Sequence, residues 1–283
     1  MKYKKPTKAV ITDAGFASRF LPITKTIPKA MMPMGAKPVM QLVVEECVAA
    51  GIKEIIIVAT AEGKAVYEDY FGNPVEHVYR QLESQGKTDR FESVKTVLDM
   101  ADVIVIEQDP ALPYGNGSPV ASAQPYLNSD EAFIVLYSDD VIIGEQGDVK
   151  TLLDAHKKYP DAKAIITSQE MPEDVWYRYG MVSFKDKKKL TLSHIVEKPK
   201  TPKDSPSNVT SYGRYLLTPE VFEHLIPKNT GLDDELWTVD AITKLAVTGD
   251  VFVIPSKGRW LTTGDPANYF AAYKEFMKTE GNK

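Results

Sequence analysis

Short apolar runs rich in β-branched residues alternate with longer amphipathic stretches through the first half of the chain. The runs are almost continuously apolar, as strands covered on both faces of a sheet are, and they predict strands at residues 8–12, 54–60, 103–108 and 133–137. The stretches between them predict helices at residues 39–50, 65–71, 74–98 with a break near Gly86, and 118–127. This alternation predicts a Rossmann-like, doubly wound, mostly parallel α/β sheet, whose ligand site lies at the carboxyl ends of the strands.

A different pattern begins at about residue 160. Turn-separated runs predict strands at residues 162–169, 179–184, 191–197 and 212–217, as in a mixed or antiparallel region. Helical patterns return at residues 219–225, 236–247 and 266–279. The last helix carries an aromatic stripe that is typical of core packing, although a subunit interface shows the same pattern: Tyr269, Phe270, Tyr273 and Phe276. We expect this small β-region and the C-terminal helices to extend the first sheet within one domain, residues 1–283.

Composition narrows the class of protein. The 34 Lys and Arg against 39 Asp and Glu give a net charge of −5, which argues against a nucleic-acid or anionic-membrane partner. The single cysteine, Cys47, excludes a disulfide framework and a Cys-based metal cluster, and we expect it in the core. No apolar run approaches the roughly 18 residues of a membrane span, and the apolar stretch behind the basic N-terminus is too short for a signal peptide. A cytoplasmic location is therefore predicted.

Candidate chemistry begins where the first predicted strand ends, in residues 13–19 (DAGFASR). Small residues there let the backbone approach a phosphate, and turn N–H groups can form an anion nest. Arg19 adds a fork of donors that matches phosphate oxygens. Lys29 follows between Pro28 and Pro33, which stiffen the segment and aim a point charge. An ordinary strand-to-helix turn, a surface arginine and a solvated loop lysine are the alternatives.

The third and fourth predicted strands also end in polar residues. Gln108 precedes the loop 114–118 (YGNGS), where glycines allow close approach of a flat ring and an amide can pair with the edge of a base; a helix-entry loop is the alternative. Asp139 and Asp140 end the fourth strand, where a carboxylate facing phosphates suits Mg²⁺, although a turn also favours Asp. Further on, Glu197 and Lys198 end a strand and could hold sugar hydroxyls and a phosphate, or simply form an ion pair.

In this order, the segments resemble the bacterial UTP–glucose-1-phosphate uridylyltransferases, which have the nucleotide-diphospho-sugar transferase fold. The resemblance runs nearly end to end and is strongest at residues 8–57, 115–140, 195–200, 207–215 and 233–242. The stretches FLPITK with IPK (20–29), SN before GRY (207–215) and DEL before TVDA (234–241) resemble this family specifically. The resemblance implies a nucleotide-binding half, residues 1–160, and a sugar-binding and C-terminal half, residues 161–283.

The resemblance implies that UTP and glucose 1-phosphate react to UDP-glucose and pyrophosphate with Mg²⁺ as cofactor, in a homodimer or homotetramer. It assigns Ala14 and Gly15 to the nucleotide, Gln108 and Gly117 to uracil, Arg19 and Lys29 to the triphosphate, Asp139 to Mg²⁺, Gly180 and Glu197 to glucose, and Lys198 to the sugar phosphate. Arg19, Lys29 and Lys198 are the expected catalytic cations.

Several residues depart from the pattern of that family. Ala17 replaces a glycine, Asp13 replaces a small apolar residue, and Ala30 replaces an acid beside the lysine. Thr262 stands where the family has a second acidic neighbour of the metal, and the loop 110–117 is longer than usual. Three interpretations stay open: an active enzyme with altered metal geometry or nucleotide choice, a weakly catalytic relative that binds sugar nucleotide as a regulatory or scaffold subunit, and a transferase for another base or sugar phosphate.

Overall fold

The computed structural model describes residues 3–279, so the outermost residues of the predicted 1–283 domain lie outside the described range. The strands in this range are β1 (Lys8–Asp13), β2 (Pro33–Met34), β3 (Lys37–Pro38), β4 (Glu54–Ala59), β5 (Asp102–Glu107), β6 (Phe133–Tyr137), β7 (Asp140–Ile143), β8 (Ala164–Glu170), β9 (Gly180–Asp186), β10 (Thr191–Glu197), β11 (Val209–Leu217), β12 (Val251–Pro255) and β13 (Arg259–Thr262). The α-helices are α1 (Val39–Ala49), α2 (Ala61–Gly72), α3 (Glu76–Ser84), α4 (Glu92–Asp99), α5 (Gly117–Ser122), α6 (Asp148–Lys158), α7 (Thr238–Thr248) and α8 (Pro266–Thr279).

One mixed sheet of nine strands joins both halves of the chain, in the order β5-β4-β1-β6-β11-β8-β12-β10-β9. Strands β5, β4, β1 and β6 run parallel, as predicted for the first half. Strand β11 runs antiparallel to both β6 and β8, and β9 and β10 add an antiparallel pair at the far edge. The doubly wound α/β sheet with an added β-region is thus confirmed. Two short antiparallel pairs lie outside the large sheet: β2–β3, whose strands are close in the chain, and β7–β13, whose strands are far apart in it.

Alternating side chains of the central strands fill two separate cores, one on each face of the sheet. Ala9 and Ile11 of β1 belong to the core that α1, α6 and α8 cover, whereas Val10 between them belongs to the core under α5 and α7. Cys47 is fully buried in the first of these cores, as expected. On α8, Tyr269 and Phe276 are buried, but Phe270 is 69% exposed, so only part of the predicted stripe packs inward. Within residues 3–279, every helix is too short or too polar to cross a bilayer.

Some elements were not predicted from the sequence. Helix α6 buries Val149, Leu152 and Leu153 at helical spacing, a signal that its many charged residues obscured. Strands β7 and β13 are four residues each and form because they pair with each other across the molecule. The helix predicted at 219–225 is a shorter 3-10 helix, Pro219–Glu223, and His224 caps its C-terminal end.

The fully buried Arg214 links the end of β6 and the start of β7 to helix α1. All five N–H donors of Arg214, on β11, have acceptors: the Glu46 carboxylate from Nε (3.1 Å) and Nη2 (3.0 Å), the carbonyls of Tyr137 (3.1 Å) and Gly213 (3.0 Å) from Nη1, and the carbonyl of Asp140 from Nη2. Arg214 is 0% exposed, and only the planar guanidinium offers five donors in one group. The turn between β6 and β7 is therefore fixed from both sides by one side chain.

We predict that Arg214→Met lowers the free energy of unfolding by about 3–5 kcal/mol, because it leaves the carboxylate of Glu46 buried without its partner. Urea unfolding followed by circular dichroism measures the change. Arg80→Met, in an exposed pair with Glu76, is the matched control and should cost about 0.5 kcal/mol or less. Equal, small losses in both variants would contradict the anchoring role of Arg214.

Candidate active site

A cavity of about 400 Å³ opens where β1, β5 and β6 end. Seven of the ten predicted site residues line it: Ala14, Gly15, Arg19, Lys29, Gln108, Asp139 and Lys198. The other three, Gly117, Gly180 and Glu197, do not line it. The structure thus brings the predicted cations and the predicted metal carboxylate to one place, although they come from segments far apart in the sequence.

The order of the strands divides this cavity into two sides. Strands β4 and β1 lie between β5 and β6, so the ends of β5 and β6 are roughly 14 Å apart at about 4.8 Å per strand spacing. Asp139 and Lys29 are on the β6 side, whereas Gln108 and Asn116 are on the β5 side. The β6 side therefore carries the Lys29–Asp139 pair, and the β5 side offers two amides. Glu235 also lines the cavity and precedes Leu236, which is bonded to the loop after β5.

A lysine–carboxylate pair forms the floor of the β6 side. Lys29 begins the 3-10 turn Lys29–Met31 directly after Pro28, and its Nζ lies 2.6 Å from Oδ2 of Asp139. Burial acts to lower the pKa of Lys29, but the carboxylates of Asp139 and Asp13 outweigh burial and raise it. Burial acts to raise the pKa of Asp139. The charge and hydrogen bond of Lys29 outweigh burial, so the pKa of Asp139 lies below its usual value. The pair is therefore an ammonium and a carboxylate at neutral pH.

Asp13 places a second carboxylate beside Lys29. It is 5% exposed, and its Oδ1 accepts a hydrogen bond of 2.6 Å from Oγ of Ser138, while its Oδ2 accepts one from the hydroxyl of Tyr67. Burial raises the pKa of Asp13, and the nearby Lys29 opposes that shift. Because protein donors already occupy both oxygens, Asp13 belongs to the wall of the site and acts on a bound anion through its charge.

The backbone of Asp139 is held by the residues that follow β13. The carbonyl of Asp139 accepts hydrogen bonds from the N–H (2.6 Å) and the hydroxyl (2.9 Å) of Thr263. A Cβ on Gly264 would lie 3.0 Å from Oδ2 of Asp139, so this glycine adjoins the carboxylate. The hydroxyl of Thr262 accepts a 3.4 Å hydrogen bond from the same glycine. Thr262 is thus close to Asp139. It stands at the position where the resembled family has a second acid beside the metal.

Asp265 does not take the place of that second acid. Its Oδ2 accepts hydrogen bonds from Arg178 and, at 2.6 Å, from Nδ2 of Asn268, and its Oδ1 accepts one of 3.0 Å from the N–H of Asn268. Arg19 lies 3.9 Å from the same Oδ2, and its side chain is 69% exposed. Arg19 is therefore only loosely held and is free to turn toward an anion in the cavity.

Lys198 approaches the cavity from the second half of the chain. It follows β10 with a left-handed φ of 48°, and its Nζ lies 4.6 Å from the ring centre of Trp237, a cation–π contact. Its neighbour Glu197 pairs with Gly180 across β10 and β9, where a Cβ on Gly180 would lie 2.9 Å from Oε2 of Glu197. Burial raises the pKa of Glu197 to about 7, and Lys198 opposes the shift. Gly180 and Glu197 therefore form a tight pair next to Lys198.

Several residues of the cavity were not predicted as site residues. Tyr114, Asn116, Tyr137, Glu235 and Trp237 line it. The local sequence around Trp237 gives no sign of a nucleotide site, because only the folded chain brings residues 235–238 against the loop after β5. Sequence could point to Tyr114, since it is the first residue of the YGNGS loop (114–118).

The predicted uracil residue Gly117 lies behind the cavity. Its N–H donates a 2.7 Å hydrogen bond to the carbonyl of Leu236, and a Cβ would lie 2.8 Å from that oxygen. A glycine here lets the loop pack against residue 236, so its direct contact with a base stays a prediction.

The donor set of the β6 side fits a hard divalent cation. Within residues 3–279, no three His, Cys, Asp or Glu side chains are arranged to hold a metal ion by themselves. Mg²⁺ commonly takes one or two carboxylates and completes its shell with substrate phosphates and water, so a complete protein cage is not required. The carboxylate of Asp139, exposed to the cavity, is the available ligand.

Comparison with known proteins places the chain among enzymes of one family. The model of the nucleotidyl transferase family matches residues 8–279. A UTP–glucose-1-phosphate uridylyltransferase of Bacillus subtilis is 37% identical over 276 residues, which are 96% of this chain and 91% of that protein. UTP–glucose-1-phosphate uridylyltransferase 2 of Staphylococcus saprophyticus is 35% identical over 275 residues, 96% of this chain and 92% of that protein.

Solved structures agree with these sequence relatives. A UDP-glucose pyrophosphorylase complexed with UDP-glucose superposes with a TM-score of 0.82 at 28% identity, covering 96% of this chain and 99% of that one. A UTP-bound UGPase from Acinetobacter baumannii gives a TM-score of 0.85 at 28% identity, covering 97% and 95%.

The turn after β1 allows a prediction about backbone strain. Ala17 has φ 47° and ψ 40°, a left-handed conformation that suits glycine better. We predict that Ala17→Gly changes the free energy of unfolding by less than about 1 kcal/mol, since relief of strain offsets the greater freedom of the unfolded chain, and that turnover is kept or increased. Thermal unfolding and steady-state rates measure both. Ala17→Val should be clearly destabilised, because β-branched residues avoid this conformation; the reverse ranking would contradict the assigned turn.

The raised pKa of Glu197 predicts that the stability of the protein depends on pH. Its native pKa is about 7 and its ordinary value 4.5, so between these values the native state keeps a proton that the unfolded state has lost. The contribution of Glu197 to the free energy of unfolding therefore falls as pH rises from about 4.5 to about 7. Urea unfolding across this range should show a smaller fall in Glu197→Gln, whereas the exposed Glu223→Gln keeps the native profile. An unchanged profile in Glu197→Gln would refute the buried, protonated carboxyl.

Proposed function

Because the chain belongs to the nucleotidyl transferase family, we propose that it joins UTP to glucose 1-phosphate, forming UDP-glucose and releasing pyrophosphate. The names of its relatives confirm the resemblance that the motifs predicted. The observation that carries the proposal is the shared cavity: the side chains of Arg19, Lys29, Lys198 and Asp139 all line it.

The proposed reaction needs no general base. An oxygen of the sugar phosphate, already an anion, attacks the α-phosphorus of UTP. The bond from that phosphorus to the oxygen bridging to the β-phosphorus breaks, and pyrophosphate leaves with the electron pair. The barrier lies in bringing two anions together and in stabilising the charge of the leaving group, which positioned cations lower. The absence of a His or Ser among the residues lining the described cavity is consistent with this chemistry.

The two sides of the cavity suggest how the substrates lie. Lys29 and Arg19 hold the triphosphate at the β6 side, and Lys198 holds the sugar phosphate. Mg²⁺, when bound, neutralises phosphate oxygens and helps to align the displacement. Asp139 is the residue that holds it, and the ammonium of Lys29, 2.6 Å away, keeps that carboxylate ionised.

The nucleoside and the hexose occupy the remaining polar groups. Gln108 offers one donor and one acceptor to the edge of uracil at the β5 side, with Ala14 and Gly15 supplying close backbone approach. Gly117, which does not line the cavity, is proposed for uracil from the resemblance alone. A ligand can come close to Gly15, since a Cβ there would meet no atom within 4 Å.

Gly180 and Glu197 are proposed for the glucose hydroxyls, next to the phosphate that Lys198 holds. A carboxyl that is buried and half protonated near pH 7 can both donate and accept a hydrogen bond. The homodimer or homotetramer and the cytoplasmic location stay predictions from the sequence.

A panel of four nucleoside triphosphates against glucose, galactose and N-acetylglucosamine 1-phosphates, with Mg²⁺ and pyrophosphate release as readout, tests the proposal. We expect the highest kcat/KM for UTP with glucose 1-phosphate. Asp139→Ala and Lys198→Ala should each lower kcat about 100-fold or more, because each removes a charge that acts on the reacting phosphates. Lys200→Ala, an exposed lysine two residues from Lys198, is the matched control and should keep the native rate.

Each other outcome has a definite meaning. Pyrophosphate release with another base or sugar would support a transferase of altered specificity, with the charge of Asp13 as the first feature to vary. No turnover, together with a raised melting temperature in UDP-glucose, would support a binding subunit and overturn the proposed reaction. A native rate in Asp139→Ala or Lys198→Ala would remove that residue from the mechanism.

A further inference from the structure

Two large aromatic rings stand exposed at the edge of the cavity. Phe16 is 72% exposed and Tyr114 is 55% exposed, and their rings stack with centres 5.8 Å apart and planes within 4° of parallel. They come from different loops, one after β1 and the other after β5. Exposed rings of this size are costly to hydrate, and two that meet from separate loops suggest a surface for a flat ligand.

The backbone under Tyr114 is rigid. Its carbonyl accepts a 2.7 Å hydrogen bond from the N–H of Leu236, and the carbonyl of Leu236 accepts one of 2.7 Å from Gly117. Gly115 between them has φ 132°, and a Cβ there would lie only 2.4 Å from the carbonyl oxygen of Leu236. The backbone of the loop is therefore fixed against residue 236, and the contact on the exposed Tyr114 ring is its stack with Phe16.

The backbone under Phe16 is also braced. The next residue, Ala17, has the left-handed conformation that turns the chain, and its carbonyl accepts hydrogen bonds from the N–H of Phe20 (2.9 Å) and the hydroxyl of Thr24 (3.0 Å). The turn thus presents the Phe16 ring outward, toward Tyr114.

The two rings have different positions relative to the cavity. Tyr114 lines it together with Gln108 and Asn116, on the β5 side that carries the two amides, whereas Phe16 does not line it. A base between the rings would need centres about 7 Å apart, two contacts of roughly 3.5 Å, so the observed stack has no room for one. A base can reach only the cavity side of Tyr114, with Phe16 behind the ring.

We propose that Tyr114 is a base-stacking residue for the nucleoside triphosphate and that Phe16 is a positioning residue that backs its ring. The proposal rests on the proposed function, since it takes the β5 side of the cavity, where Gln108 lies, as the nucleoside side. Stacking recognises the flat face of a base and so adds affinity for the nucleoside without choosing among bases, which Gln108 is placed to do.

Titration calorimetry with UTP and with inorganic tripolyphosphate, which has the phosphates but no nucleoside, tests the contact. Tyr114→Ala should weaken UTP about 10-fold and leave tripolyphosphate within twofold. Tyr114→Phe, which keeps the ring, should bind UTP more tightly than Tyr114→Ala. Phe270→Ala, which removes an equally exposed ring on α8, should change neither ligand. Equal weakening of both ligands, or no weakening of UTP, would overturn the stacking role.

A double-mutant cycle tests the division of roles. Phe16→Ala should weaken UTP about threefold in the native background and have no further effect in Tyr114→Ala, because it acts through that ring. The same loss in both backgrounds would show that Phe16 contacts the nucleotide itself and would overturn its positioning role.

The failure of this proposal can be told apart from failure of the proposed function. Nucleotide binding that responds to Tyr114→Ala, in a chain that releases no pyrophosphate, would overturn only the reaction. UDP-glucose synthesis whose KM for UTP is unchanged in Tyr114→Ala would overturn only the stacking contact. If none of the four nucleoside triphosphates binds more tightly than tripolyphosphate, the stacking proposal is overturned as well.

Discussion

The site depends on one buried guanidinium. Arg214 binds the carbonyls of Tyr137 and Asp140, the residues that enclose Ser138 and Asp139, and its charge is matched by Glu46. A carboxylate that must meet a metal or a phosphate needs a backbone that does not shift, and here the backbone is bonded before and after it. The same arginine joins β11 to the end of β6 and to α1, so the stability of the fold and the geometry of the site rest on the same hydrogen bonds. This explains why a GRY stretch, whose side chains never reach the cavity lining, resembles the family so closely.

Charge balance is the second constraint on the cavity. Lys29 lies among the charges of Asp139 and Asp13, both of which raise its pKa. In this buried setting the lysine helps to hold two acids in place, and its positive charge is already partly compensated before a polyanion arrives. Arg19 and Lys198 are exposed and only loosely paired, which leaves them to meet the phosphates. Lys29 is therefore a fixed cation that the triphosphate meets at the floor of the cavity, and the exposed Arg19 and Lys198 add cations that are less tightly paired.

The order of the strands in the sheet gives a bound nucleotide one preferred orientation. Since β5 and β6 flank β4 and β1, the amides of Gln108 and Asn116 and the Lys29–Asp139 pair lie at opposite sides of the same edge of the sheet. A nucleoside triphosphate has the same polarity, a neutral base at one end and phosphates at the other. The second half of the chain completes the cavity: Leu236 is bonded to the loop that carries Tyr114, and Lys198 rests on the next residue, Trp237.

Sequence by itself determined the parallel strands, the doubly wound fold and the types of side chain at the strand ends. A buried strand appears in the sequence as a local apolar run, and the polar residues that follow each run can be read directly. The resemblance also marked Ala17 as standing where the family has a glycine, and the structure gives this residue a left-handed φ of 47°. The sequence did not determine β7 and β13, which exist only because they pair with each other, or the roles of Arg214, Tyr114 and Trp237. Nor could it show that Gly117 faces residue 236 and that the two oxygens of Asp13 already have donors. These features depend on contacts between distant segments, and only the tertiary structure, which brings those segments within hydrogen-bonding distance, decides them.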